Sequence, residues 1–173
     1  MNTTELANKI QLIIFDVDGV LTDGGLYFTE DGAEFKRFNS LDGHGIKMLK
    51  DNGVEVAVIT ARDSKAVAYR MKNLGITHFY QGQSDKVVAF SDLLQKLNLS
   101  ADEVAYVGDD VIDLPVMTKV GFAIAVANAH DTVKQYANLI TEKSGGHGAV
   151  REVCDFILKA QGKFDDAMKL YLD

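Results

Sequence analysis

Four apolar residues, Leu12-Ile13-Ile14-Phe15, run without a polar break into Asp16, the pattern of a strand buried on both faces in the middle of a parallel sheet. Val54 to Ile59 and Val104 to Val107 repeat it, and Ile76 to Tyr80, Gly121 to Val126 and Asn138 to Ile140 read as shorter strands. Helical spacing fills the gaps between them. Ile46 and Leu49, with Met48, predict a helix over 42–52 that Gly53 ends. Asp63-Ser64 can cap a helix running to about Asn73, and Ser84-Asp85 another running to Leu97. Leu114-Pro115 opens a further one, proline being tolerated in the first turn, and the last helix is expected over 149–160. Residues 1–10 read as a polar lead-in, and a short, flexible amphipathic tail is expected after Gly162. The alternation predicts an α/β fold, a doubly wound parallel sheet with right-handed crossovers, whose strand ends gather along one edge.

One segment breaks the alternation. Leu26 to Thr29 and Glu34 to Phe38 flank Glu30-Asp31-Gly32, which predicts a β-hairpin inserted after the first strand. A lone hairpin is marginally stable, so it must pack on the body of the domain or on another subunit. Tyr27, Phe28, Phe35 and Phe38 give it more aromatic surface than an exposed ribbon carries comfortably, and residues 25–38 are expected at an oligomer interface.

With 173 residues, 47% of them hydrophobic, a single domain over 1–173 is the expectation. No apolar run reaches the length of a membrane span, and the start of the chain lacks the order of a signal peptide, which points to a cytoplasmic protein. A lone cysteine, Cys154, suits a reducing compartment. A net charge of −7 argues against nucleic acid or an acidic membrane as partner. Yet nine of the 18 basic residues lie between Lys36 and Lys86, a local field that suits a small anionic substrate.

The chemistry gathers at strand ends. Asp16 and Asp18 follow the first strand, Thr60 the second, Lys86 opens a helix, and Asp109, Asp110 and Asp113 follow Gly108. Paired carboxylates repel, and a hard cation such as Mg²⁺ is their natural counter-charge. Asp16 is the candidate nucleophile, forming an aspartyl-phosphate that splits one hard displacement into two. Thr60, Lys86 and Mg²⁺ would hold the phosphoryl oxygens. Asp18 can protonate the leaving alkoxide and later deprotonate water, with its backbone carbonyl on the metal. Asp109 completes the metal set of Asp16, Asp18 and Asp109, while Asp110 and Asp113 are direct ligands or outer partners.

Asp16-x-Asp18-Gly-Val, Thr60, Lys86 and Gly108-Asp109-Asp110-x-x-Asp113 resemble the four signature motifs of the haloacid dehalogenase superfamily of phosphatases, over nearly the whole chain. The surrounding segments 39–47, Thr60 to Ser64 and Gly145 to Glu152 are similar to a branch of that superfamily acting in lipopolysaccharide biosynthesis on 3-deoxy-D-manno-octulosonate 8-phosphate. The resemblance implies a homotetramer without a cap domain, and the short interval from Thr60 to Lys86 agrees with the missing cap. It also implies that Asn39, Ser40, Leu41, Asp42, Gly43, Lys47, Arg62 and Arg70 contact the sugar acid phosphate together with Asp18 and Lys86. Arg62 and Arg70 could read a carboxylate from one side of a helix. Without a cap, neighbouring subunits are the available material for covering the site, and the Gly145–Gly148 loop and the tail are candidates for closing over it.

Two other readings fit the motifs. A phosphatase for another sugar acid, such as a nonulosonate 9-phosphate, uses the same residues. A receiver-like signalling domain also combines acids, Thr and Lys, but its acidic pair is adjacent and its phospho-acceptor lies on a later strand.

Overall fold

In the computed structural model, which describes residues 1–172, the chain folds around a six-stranded parallel sheet. Its strands are β1 (Leu12–Phe15), β4 (Glu55–Ile59), β5 (His78–Tyr80), β6 (Val104–Gly108), β7 (Phe122–Ala125) and β8 (Leu139–Ile140), in the spatial order β5-β4-β1-β6-β7-β8. β1 is central, Leu12 facing Glu55 on one side and Val104 on the other, and Phe15 facing Val58 and Val107. Its four side chains are fully buried, as an unbroken apolar run requires. After β5 the chain crosses to the other side of β1, so the strand order reverses between β1 and β6. A crevice opens at the carboxyl ends of such a switch point, with Asp16 on one lip and Asp109 on the other.

Helices cover both faces. α2 (Ser40–Asp51) and α7 (Ala149–Ala160) pack together with α1 (Thr3–Asn8) against α7 on one side. α4 (Lys86–Leu97), α5 (Leu114–Met117) and α6 (Asp131–Tyr136) cover the other, and α3 (Lys65–Asn73) joins β4 to β5. Among the described residues no helix is long and apolar enough to cross a membrane.

The hairpin stands where it was expected, with shorter strands: β2 (Tyr27–Phe28) pairs antiparallel with β3 (Glu34–Phe35). An isolated antiparallel bridge from Thr22 to Phe38 ties its base to the loop after β1.

Four expectations at the boundaries need correction. Residues 1–10 hold α1, whose start is a capping box in which the Asn2 side chain accepts from Glu5 N at 2.8 Å and Glu5 accepts from Asn2 N at 3.1 Å. α2 begins two residues earlier than its apolar spacing indicates, because the Asn39 side chain caps it through Leu41 N, 2.8 Å. The tail beyond Gly162 is a helix, α8 (Phe164–Leu172), docked by buried Ala167 and by an edge-on contact between Tyr171 and His44 of α2. Ser64 occupies the cap position of α3 but makes no capping hydrogen bond.

Candidate active site

Asp16 leaves β1 into a wide turn, Val17–Leu21, closed by Thr22 N donating to Val17 O at 3.0 Å. Gly19 sits inside it at φ +88°, and a side chain there would collide with the Asp109 carboxylate. The turn is backed by the Gly145–Gly148 loop. Gly145 and Gly146 are buried, Gly146 N donates to Val20 O at 3.0 Å, and a Cβ on either glycine would overlap the backbone of the Gly19–Asp23 stretch. Within its own chain the loop is thus a packed support for this turn.

Four charged groups meet in the crevice. Lys86, the first residue of α4, is buried, with Nζ 2.9 Å from Asp16 Oδ1 and 2.7 Å from Asp113 Oδ1. The buried Tyr106 hydroxyl donates to the same Asp113 oxygen at 2.7 Å. Asp113 Oδ2 accepts from Asp109 N and Asp110 N, at 3.0 and 3.2 Å. Although Asp16, Asp109 and Asp113 place oxygens within 4.8 Å of one another, both Asp113 oxygens are already committed. Asp113 therefore orients Lys86 and the Asp109 backbone.

Asp109 differs: its buried Oδ1 has no hydrogen-bond partner among the described residues. Burial, with the charges of Asp16, Asp113 and Asp110, pushes the Asp109 carboxyl up to about 8. Burial and the Asp113 charge push Asp16 up to about 7 against the opposing pull of Lys86. Burial works against the charged form of Lys86, but attraction to Asp16 and Asp113 prevails and raises it. Three carboxylates against one ammonium leave excess negative charge in a desolvated space. An orphaned carboxylate oxygen beside a second one is a donor set that fits a hard divalent cation.

Asp16, Asp18, Thr60, Arg62, Asp109 and Asp110 line a cavity of about 240 Å³ at this point. Thr60 is buried at the end of β4, its hydroxyl accepting from Arg62 N at 3.4 Å. Asp18 is paired with Lys36 of the hairpin. Arg62 reaches Glu34 of the hairpin at 2.9 Å.

The remaining candidates lie elsewhere in the chain. Ser40, Gly43, Lys47 and Arg70 line a separate groove of about 480 Å³ between α2 and α3. Arg70 lies over the Phe38 ring, 5.7 Å from its centroid, and donates to Asn39 O at 3.4 Å. Arg62 precedes α3, so Arg62 and Arg70 do not share a helix face. Asn39 caps α2 and donates to Gly146 O at 3.3 Å. Asp42 is buried and accepts from Arg151 N at 2.9 Å in α7, so its carboxylate serves the α2–α7 contact. Leu41 is exposed.

Glu34, Lys36 and Tyr106 escaped the sequence reading. Glu34 and Lys36 alternate with Phe35, a period-two pattern that puts both charges on one side of the ribbon. Tyr106 looked like one more apolar strand residue.

A family model described as haloacid dehalogenase-like hydrolase matches residues 77–153. The 3-deoxy-D-manno-octulosonate 8-phosphate phosphatase of Escherichia coli (strain K12) is 55% identical over 161 residues, 93% of this chain and 86% of its own. The solved structure of the Yersinia pestis enzyme of that name superposes with a TM-score of 0.93 at 50% identity, covering 94% of this chain and 88% of that one. The Moraxella catarrhalis structure, solved in complex with magnesium ion, phosphate ion and KDO, has a TM-score of 0.95 at 43% identity, covering 98% and 97%.

Proposed function

Because the chain belongs to the haloacid dehalogenase-like hydrolases, in the branch of the 3-deoxy-D-manno-octulosonate 8-phosphate phosphatases, we propose that it hydrolyses 3-deoxy-D-manno-octulosonate 8-phosphate to the free sugar acid and inorganic phosphate. The observation that carries this is the buried contact of Lys86 with Asp16 beside the unpartnered Asp109 oxygen. Asp16 directly follows the first strand of the sheet, which sets aside the receiver-like reading, where the acceptor follows a later strand.

In the first half-reaction an Asp16 oxygen bonds to phosphorus as the bond from phosphorus to O8 breaks, and Asp18 gives its proton to O8. In the second, water attacks phosphorus, its proton passes to Asp18, and the bond to Asp16 breaks to release phosphate. Lys86 and the Thr60 hydroxyl hold phosphoryl oxygens throughout. Asp16, Asp109 and the Asp18 carbonyl would hold Mg²⁺, which when bound neutralises charge on the phosphoryl group. Arg62 reads the sugar acid from the cavity wall. Lys47, Arg70 and the Asn39–Gly43 segment form a second basic face, suited to completing a neighbour's site in a homotetramer joined through the 25–38 hairpins. Residues 1–173 act as one domain without a cap. We place the reaction in the cytoplasm, where the buried, unpaired Cys154 suits reducing conditions.

Phosphate release from a panel of phosphorylated sugar acids and hexose phosphates, with and without Mg²⁺, tests the proposal. Preference for the octulosonate ester, dependent on Mg²⁺, is expected. Faster turnover of a nonulosonate 9-phosphate, or no preference over hexose phosphates, would refute the substrate assignment.

A further inference from the structure

Lys36 is a charge at the site that the reaction above leaves without a task. Its side chain is 1% exposed, in a ribbon whose Leu26, Phe28 and Phe35 all face solvent. Its ammonium is ion-paired with Asp18 Oδ1 and lies 3.1 Å from Glu34 Oε1, and that Glu34 oxygen lies 2.9 Å from the Arg62 guanidinium. Alternating charges thus run from Asp18 through Lys36 and Glu34 to Arg62. A lysine on a surface ribbon ordinarily carries its ammonium out to water. Turning it inward is costly unless carboxylates replace the lost hydration, and here one of the two carboxylates is the group assigned to proton transfer.

We propose that Lys36 is a positioning residue: by engaging Asp18 Oδ1 its ammonium holds the Asp18 side chain at the cavity wall, so that the group is in place both when, protonated, it gives its proton to the leaving oxygen and when, ionised, it takes one from water. Lys36 is not among the residues lining the catalytic cavity; it lines a separate groove of about 400 Å³ with Phe38, Ser40 and Arg70, so it acts through Asp18. The pair uses Asp18 Oδ1, and Asp18 still lines the cavity. Catalytic groups held by a firm outer contact keep their reactive geometry, and a displacement of about 1 Å can cost on the order of a hundredfold in rate. Glu34 steadies the other side of the ammonium and ties the same unit to Arg62. The hairpin thereby sets the site of its own chain through one side of its second strand.

This inference rests on Asp18 being the acid of the proposed reaction, and leaving-group chemistry separates the two. Expelling the sugar alkoxide needs a proton from Asp18, whereas p-nitrophenolate leaves with little help. Single-turnover phosphorylation of Asp16 is measured with both esters in Asp18→Asn, Lys36→Met and Lys36→Arg. Lys36→Met should slow the step on the sugar acid phosphate by about tenfold to a hundredfold at nearly unchanged KM, hold the nitrophenolate burst within about threefold, and be largely rescued by Lys36→Arg. Equal loss on both esters, a change confined to KM, or no loss would overturn the role of Lys36 while Asp18→Asn remains selective. If Asp18→Asn is itself unselective, the acid assignment fails, and the role of Lys36 with it. Should Lys36→Met fail to fold, Lys36→Gln is judged by the same criteria.

Discussion

Asp113 Oδ1 accepts from Lys86 Nζ at 2.7 Å, and the same ammonium stands 2.9 Å from Asp16 Oδ1. Asp113 is committed on all sides, to Lys86, to Tyr106 and to two backbone amides. The lysine therefore keeps a buried counter-ion even when Asp16 is neutral. Asp16→Asn should fold, with an unchanged or higher Tm because one desolvated charge is gone, and should lose turnover to the background rate. Retained turnover in a well-folded variant would rule out the covalent route.

The metal-free site should make stability fall with rising pH. Asp16 and Asp109 titrate near about 7 and 8 in the fold, well above the ordinary carboxylate value of 3.8. Between that value and the raised ones the native state binds protons that the unfolded chain has released, so unfolding becomes easier as pH rises through this window. A divalent cation replaces those protons, and its benefit should grow over the same range. Melting with Mg²⁺ and with EDTA should show a larger gain in Tm at about pH 8 than at about pH 5. A gain independent of pH would show that the cation binds elsewhere.

Much of this arrangement could be read from the chain because it follows from short, local rules. An unbroken apolar run ending in Asp16 specifies a central strand, and right-handed crossovers bring the other strand ends to it. What stayed hidden depends on contacts across the chain. Lys36 is 18 residues from Asp18 in sequence, and nothing local says that its ammonium turns inward. Asp42 is expected to open a helix and to contact the substrate, yet its carboxylate accepts from Arg151 N, 109 residues away. The glycines at 145 and 146 suggested flexibility in isolation. In the fold they are small because the backbone of Gly19 to Asp23 lies against them.

That packing has a measurable consequence. Gly146 stands at φ +69°, and a Cβ there would enter the backbone of Thr22 and Asp23. Gly146→Ala combines an unfavourable conformation with overlap against main chain that cannot give way. Denaturant unfolding should show a loss of about 1–3 kcal/mol, with kcat reduced because the turn bearing Asp16 and Asp18 is displaced. A variant as stable as the parent would mean that the loop is free to move.

The exposed aromatic surface of the hairpin calls for a partner. Phe28 and Phe35 are 56% and 52% exposed, and Leu26 beside them 54%. Such a patch on a two-stranded ribbon is suited to pairing with copies of itself. Light scattering should give a tetramer for the parent and smaller species for Phe28→Asp with Phe35→Asp. A parent that is monomeric at micromolar concentration would contradict the hairpin assembly.

Arg62 offers the sharpest test of substrate choice. It lines the catalytic cavity, its guanidinium is held by Glu34, and 43% of its side chain remains exposed, so it is aimed and still accessible. A sugar acid phosphate carries a second anion several bonds from phosphorus, which a fixed guanidinium can meet with paired hydrogen bonds. Losing a hydrogen bond to a charged group costs about tenfold to a hundredfold. Arg62→Ala should lower kcat/KM on 3-deoxy-D-manno-octulosonate 8-phosphate by that much and leave p-nitrophenyl phosphate, which has no carboxylate, nearly unaffected. Because the Thr60 hydroxyl accepts from the Arg62 backbone N–H and not from its side chain, truncation should leave the phosphoryl contacts intact. Equal losses on both esters would place the guanidinium at the phosphate, and the carboxylate would then have to be read by Lys47 and Arg70 from the groove between α2 and α3.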